Sequence, residues 1–188
     1  MKIIRFNTGD NEETNGILSD GLLTAIEGDI YGSYDATDVT YKADEIKILP
    51  PCCPSKIVAI GLNYRDHAAE MGSELPEEPR MFLKPATAVI GHGATIVYPG
   101  HMSERVDYEG ELAVVIRKRA RHVSEEDAPE YILGYTCMND VTARDLQSRD
   151  IQFTRAKGFD TFAPLGPVIE TGIDAGDLEI STYLNGER

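Results

Sequence analysis

No run of apolar residues in this sequence approaches the roughly 20 needed to cross a bilayer as a helix. The longest, such as Leu112–Ile116, are far shorter. Basic residues are scarce: 18 Lys and Arg stand against 32 Asp and Glu, for a formal net charge of −14. A chain so poor in positive charge has little with which to release counterions from a polyanion, which excludes a nucleic-acid partner. The imbalance is distributed, residues 1–50 alone carrying 4 basic and 10 acidic groups, and it reads as solubility rather than an acidic tail. Cysteine is limited to Cys52, Cys53 and Cys137, an odd number without metal-type spacing. Adjacent cysteines seldom meet disulfide geometry with each other, so three reduced thiols are expected, with Cys137 in the core. Met1–Phe6 has no apolar central region of a signal peptide, and the expectation is a cytoplasmic protein with no membrane partner. Repeats and low-complexity tracts are absent. Gly91-His-Gly93 has Ile96 where a dinucleotide fingerprint needs its third glycine. Neither a phosphate-binding loop nor a Gly-x-Ser-x-Gly elbow occurs.

What is present is ordinary globular material, 41% hydrophobic and 27% charged, ample for a core. The first fifty residues read as a small β region: a strand at Lys2–Phe6, and strands at Gly16–Ser19 and Leu22–Glu27 around an Asp20-Gly21 turn. Three prolines within Pro50–Pro54 allow neither helix nor ladder and mark a linker to the main domain, residues 55–188. Beyond it the spacing predicts strands at Lys56–Ile60, Met81–Leu83, Ala88–Ile90, Thr95–Tyr98, Glu109–Ile116, Tyr135–Val141, Pro167–Glu170 and Leu178–Leu184. Helices are expected at Asn63–Met71, from a capping box at Ser124–Asp127 through about Leu133, and around Thr142–Arg149. Many short strands with few helices make an α+β fold, predominantly β, rather than a βαβ winding.

The sharpest chemical feature is Asp107-Tyr-Glu109-Gly-Glu111. Strand alternation would turn these carboxylates to one face, where they repel unless a cation lies between them. A solvated strand face is the plainer alternative. Asp140 ends an apolar strand, where a charge is costly unless paired or metal-bound. Glu109, Glu111 and Asp140 together form an all-oxygen set suited to Mg²⁺, Mn²⁺ or Ca²⁺ and poorly suited to structural zinc. His67 and Glu70, at i and i+3 of a helix, could form a water-activating dyad or simply an exposed pair. Arg144 and Gln147 follow Asp140 at helical spacing. Lys157 could bind an anion or a developing enolate, and Gly158 beside it permits close approach of substrate or backbone. Lys84 in Phe-Leu-Lys-Pro is a weaker version of the same signal. His92, His101 and His122 are expected on the surface.

In order along the chain, Ile60-Gly-Leu-Asn-Tyr-Arg-Asp-His67-Ala-Ala-Glu70-Met, Phe82-Leu-Lys-Pro85, Asp107-Tyr-Glu-Gly-Glu-Leu112 and Asn139-Asp-Val-Thr-Ala-Arg-Asp-Leu-Gln147 resemble the fumarylacetoacetate hydrolase family. The resemblance continues through Ala156-Lys-Gly-Phe-Asp160, Gly166-Pro167 and Asn185-Gly186. It is to the acylpyruvase and 2-hydroxyhepta-2,4-diene-1,7-dioate isomerase-like branch, and it implies a mixed β-roll with a small N-terminal β region. It further implies a divalent cation, usually Mg²⁺ or Mn²⁺ and sometimes Ca²⁺, on Glu109, Glu111 and Asp140. His67 and Glu70 would activate water, Lys157 would take part in catalysis, and Arg144, Gln147 and Gly158 would bind substrate. The chemistry implied is metal-assisted turnover of a small anionic 2-oxo or 1,3-dicarbonyl acid by hydrolysis, decarboxylation or tautomerisation, in a homodimer. The competing reading is an inactive binding or assembly protein of the same fold. The family's Thr-Gly-Thr-Pro motif has no counterpart, and Ser181–Arg188 enters an Asn-Gly turn with little room for a return strand. A C-terminally truncated chain, with doubtful activity of its own, is the expectation.

Overall fold

The computed structural model describes residues 1–9 and 12–188. The chain opens with β1 (Lys2–Asn7), β2 (Glu13–Ser19) and β3 (Leu22–Gly28), an antiparallel meander extended by β4 (Tyr34–Lys42). Asp20 and Gly21 join β2 to β3 with φ of 51° and 80°, the doubly positive φ that matches the strand twist. A short β5 (Lys47–Ile48) returns to pair with Phe6 and Asn7 of β1.

After the prolines, β6 (Lys56–Gly61) runs into α1 (Arg65–Glu70) and pairs with β7 (Arg80–Pro85). The helix is shorter than expected: Tyr64 rather than Asn63 is its first flanking residue, and no side chain caps it. Leu62, at φ 52°, turns the chain from strand to helix. There follow β8 (Val89–Ile90), β9 (Val106–Asp107), β10 (Gly110–Ile116) and β11 (Ile132–Asn139). Then come β12 (Thr142–Ala143), α2 (Arg144–Arg149), α3 (Thr154–Lys157), β13 (Ala163–Pro164) and β14 (Ile169–Glu170).

Eight of these strands form one sheet in the order β10-β11-β14-β1-β2-β3-β4, with β5 paired to β1. The first fifty residues therefore share a sheet with the later strands, through the pairs Lys2↔Glu170 and Ile3↔Ile169. One core cluster mixes both parts, Ile3, Ile26 and Ile30 packing with Val115, Met138, Leu165 and Ile169. Each such side chain removed from water contributes about 1.5–3 kcal/mol. Gly134 makes the β11–β14 contact feasible, since a Cβ there would collide with the Glu170 carbonyl oxygen. Three smaller pairs, β6–β7, β9–β12 and the parallel β8–β13, lie outside the main sheet.

The fold is α+β and predominantly β, as the strand count implied. Four local expectations are corrected. The segment after Ser124 forms the capping contact, Asp127 N–H donating to Ser124 Oγ at 3.1 Å, but only a 3-10 turn follows at Ala128–Tyr131. Pro129 lies within that turn, and Ile132 is drawn into pairing with Ile116. Thr95–Tyr98 and Leu178–Leu184 have no ladder partner and are irregular, apart from a single bridge of Leu184 to Glu187 across the Asn185-Gly186 turn. Cys137 is exposed rather than core, because alternation along β11 turns it outward, and Cys52 is the buried thiol. All three cysteines are free. His92, His101 and His122 are exposed.

Candidate active site

β10 and β11 are antiparallel, with Gly110 opposite Asn139 and Glu111 opposite Met138. Glu109, just before β10, therefore meets Asp140, just after β11: Asp140 N–H donates to the Glu109 carbonyl at 2.8 Å, and Glu109 N–H to Asn139 Oδ1 at 3.0 Å. Beyond Asp140, Thr142 in β12 lies opposite Asp107 in β9, which brings Arg144 at the start of α2 onto the same cluster. The chain does not run as one strand from Asp107 to Glu111, because Tyr108 and Glu109 lie between β9 and β10. Asp107 and Glu109 share Arg144, while Glu111 faces Tyr64.

Two lysines neutralise Asp140, which is 4% exposed. Lys84, fully buried on β7, donates to Asp140 Oδ1 at 2.5 Å and to the Val141 carbonyl at 3.2 Å. Lys157, at the end of α3 and 3% exposed, donates to Asp140 Oδ2 at 2.5 Å, to Glu109 Oε2 at 2.8 Å and to Thr142 Oγ1 at 2.8 Å. Burial lowers the Lys84 pKa, against the opposing pull of Asp140. The other Glu109 oxygen, Oε1, pairs with Arg144 Nη2 at 2.5 Å. Arg144 Nε reaches Asp107 Oδ2 and its Nη1 reaches Gln147 Oε1, both at 2.9 Å. The Gln147 carbonyl is thereby fixed toward Arg144, which leaves its amide nitrogen as the outward donor.

Glu111 has no such cation. Burial foremost, with Asp140 and Glu109 adding repulsion, pushes its carboxyl up to about 7, although the Tyr64 hydroxyl and Lys157 act in the other direction. Tyr64 also receives the Leu112 N–H at 3.3 Å and so tethers the start of α1 to β10. A cleft of about 350 Å³ opens beside Glu111, with His92, Asn139, Leu165, Thr182 and Tyr183 in its walls. Among the other candidates from sequence, none lines it.

His67 Nδ1 lies 3.7 Å from Glu70 Oε2, beyond hydrogen-bond length, with side chains 36% and 80% exposed. The dyad residues share a helix face as expected but are held loosely. The closeness that Gly158 permits is to protein: a Cβ there would strike the Thr154 carbonyl and lie 3.3 Å from Pro85 Cδ.

The donor chemistry suits a hard divalent ion, being all oxygen and negatively charged. It already gathers one cation, the Lys157 ammonium. Among the described residues, no three Asp, Glu, His or Cys side chains are arranged to hold an ion together. Glu111 is turned to Tyr64, and Lys157 bridges the other two carboxylates. Four contributors were weak or missing in the sequence reading. Lys84 was underweighted, although a lysine inside Phe-Leu-Lys-Pro was its signal. Tyr64, Thr142 and Phe82, whose ring lies 5.0 Å from the Lys157 ammonium, carried no signal before the strands were paired.

A family described as fumarylacetoacetate (FAA) hydrolase C-terminal matches residues 56–188, and one described as Rv2993c-like, N-terminal, matches residues 1–51. A protein of Archaeoglobus fulgidus is 55% identical over 173 residues, 92% of this chain and 67% of its own length. Oxaloacetate tautomerase YisK of Bacillus subtilis is 47% identical over 154 residues, 78% of this chain and 51% of its own length. The chain thus spans between about half and two thirds of these curated relatives. The crystal structure of 5-carboxymethyl-2-hydroxymuconate delta-isomerase from Mycobacterium smegmatis superposes with a TM-score of 0.90 at 39% identity, covering 100% of this chain and 73% of that one.

Proposed function

This chain belongs to the fumarylacetoacetate hydrolase family, and from that premise we propose that it is a divalent-metal-dependent enzyme of small anionic 2-oxo or 1,3-dicarbonyl acids. Its reaction is proton transfer, as in a tautomerase or isomerase. The observation that carries the reading is the convergence of Glu109 and Asp140 on a single positive charge, with Glu111 close enough to feel both. Two relatives support the reaction type, one named an oxaloacetate tautomerase and one a muconate isomerase.

Glu109, Glu111 and Asp140 would hold the cation, Mg²⁺ or Mn²⁺ first and Ca²⁺ as a further option, and its chemistry there is Lewis-acid polarisation of substrate oxygens. Arg144 fixes Glu109 through Oε1 and turns the Gln147 amide nitrogen outward to donate to a substrate carboxylate or carbonyl. Lys157 and Lys84 pair with the two carboxylate oxygens of Asp140 in a buried setting. The His67 imidazole is the group proposed to take up and return the proton. The protein works in the cytoplasm as the homodimer that the family resemblance implies, with a sedimentation mass of twice the chain.

The experiment follows the ultraviolet enol absorbance of oxaloacetate with the full chain and Mg²⁺ or Mn²⁺. Glu109→Gln with Glu111→Gln is expected to abolish both metal binding and turnover, and His67→Ala to slow turnover without weakening metal binding. Turnover and metal affinity unchanged in the double variant would refute the assignment.

A further inference from the structure

The four oxygens of Glu109 and Asp140 are all taken. Arg144 holds Glu109 Oε1, and Lys84 holds Asp140 Oδ1. The remaining two, Glu109 Oε2 and Asp140 Oδ2, are those that Lys157 grips, at 2.8 and 2.5 Å. Thr142 Oγ1 accepts the third ammonium hydrogen bond at 2.8 Å, and this hydroxyl itself donates to the Asp140 carbonyl at 2.9 Å. All three donors of a buried ammonium are thus satisfied by oxygens around one point. Each carboxylate oxygen keeps a second lone pair, but an ion shared by Glu109 Oε2 and Asp140 Oδ2 would have to sit where the ammonium now lies. The same arrangement accounts for the absence, among the described residues, of a three-ligand group ready to close on a metal.

We propose that the Lys157 ammonium is a built-in counter-ion standing between Glu109 and Asp140, and that a divalent ion shared by the two carboxylates enters by displacing it. The inference rests on the reading of Glu109, Glu111 and Asp140 as the cation site. Its physical basis is that Glu109 Oε2 and Asp140 Oδ2, left facing each other without a cation between them, would be costly, so an internal cation holds them until a stronger one arrives. A monovalent ion offers no gain in charge over the ammonium and must still break its three hydrogen bonds. A divalent ion doubles the attraction to each carboxylate. Lys157 therefore acts as a specificity-determining residue for the cation. Its ammonium already lies 5.0 Å from the centre of the Phe82 ring, whose face can share the charge as the carboxylates are given up.

The test measures Mg²⁺ binding by titration calorimetry on the full chain and on Lys157→Met, Lys157→Arg and the Glu109→Gln, Glu111→Gln double variant. Lysine ε-¹⁵N NMR follows the protected ammonium signals through the same titration. Expected are Mg²⁺ binding about tenfold tighter or more in Lys157→Met, since three charge-assisted hydrogen bonds no longer have to be broken, and no gain in Lys157→Arg. The Lys157 signal, identified by its loss in either Lys157 variant, should shift on saturation with Mg²⁺ and return with chelator. Circular dichroism checks that Lys157→Met folds; if it does not, the NMR titration decides. An unmoved Lys157 signal at saturation, or affinity no tighter in folded Lys157→Met, overturns the displacement while leaving the metal site standing. No Mg²⁺ binding by the unmodified chain, or unchanged binding in the double carboxylate variant, overturns the site and the displacement with it.

Discussion

Replacing Lys84 by methionine keeps the apolar stem and deletes an ammonium with no exposure to solvent. It leaves Asp140 Oδ1 without its 2.5 Å partner and the Val141 carbonyl without a 3.2 Å one. Removing one member of a buried ion pair costs about 3–5 kcal/mol. Asp140 keeps Lys157 on its other oxygen, so the cost belongs near the lower end, about 3 kcal/mol. In a domain of this size each kcal/mol moves the melting midpoint by about 2–4 °C, so Lys84→Met should melt about 6–12 °C lower. Asp140→Asn removes the charge that Lys84 exists to balance. The double variant should therefore be more stable than the sum of the single losses predicts, by about 1 kcal/mol or more. Urea and thermal unfolding in chelator-containing buffer, followed by circular dichroism, measure all four corners of this cycle. A Lys84→Met loss below about 1 kcal/mol, or strictly additive costs, would show that Lys84 and Asp140 are neighbours without being energetic partners.

Two further outcomes follow from packing and burial. Gly134→Ala should destabilise the chain by about 1–3 kcal/mol, because its methyl group would meet the Glu170 carbonyl oxygen and come within 2.8 Å of Ile169 Cγ2; unchanged urea unfolding would count against the β11–β14 contact. Burial, reinforced by the neighbouring Cys53 thiol, raises Cys52 from 9.0 to about 11. Raising a thiol's pKa removes thiolate below that value, so at pH 8 Cys52 should carry roughly a hundredfold less of the reactive form than an ordinary cysteine. Alkylation of the native chain at pH 8 is expected to show two fast thiols and one slow one, the slow one accelerating as pH approaches 11 or on unfolding. Three equal rates would contradict the burial.

What could be read from the sequence was what local chemistry decides. Asp20-Gly21 and Asn185-Gly186 both form their turns because positive φ is a property of the residues themselves. The apolar runs of β10 and β11 likewise announce strands, which pair with each other. Where a distant partner decides, the reading failed. Ser124–Leu133 has a helix start signal, yet Ile132 follows Ile116 into the sheet, and Thr95–Tyr98 has strand composition without a strand beside it. The site divides in the same way. Glu109, Glu111 and Asp140 stood out because clustered charge beside apolar strands is conspicuous. Lys157 and, more weakly, Lys84 stand out as cations, but not as the partners of these carboxylates, because Lys84 is 56 residues from Asp140 and Lys157 is 48 from Glu109. The pairing of β10 with β11 brings Glu109 to Asp140, and the packing of α3 against β7 and β12 brings the two lysines to hydrogen-bond length.

The two-residue strand β14 has a consequence for how the chain acquires its shape. β1 finds β2 within a dozen residues and β5 covers Phe6 and Asn7 soon after, but Lys2 and Ile3 wait for Ile169 and Glu170, far along the chain. Contacts of such long sequence separation are entropically late. At a synthesis rate of about 5–20 residues per second, β1 emerges from the ribosome roughly ten to thirty seconds before β14 does. Throughout that interval Ile3, fully enclosed in the finished molecule, sits on a strand with one open edge. An open edge accepts foreign strands as readily as its own. The pairing of β14 is thus the one that ends the exposure of this end of β1, and crowded overexpression should punish a weakened β14 more severely than its equilibrium stability alone would suggest.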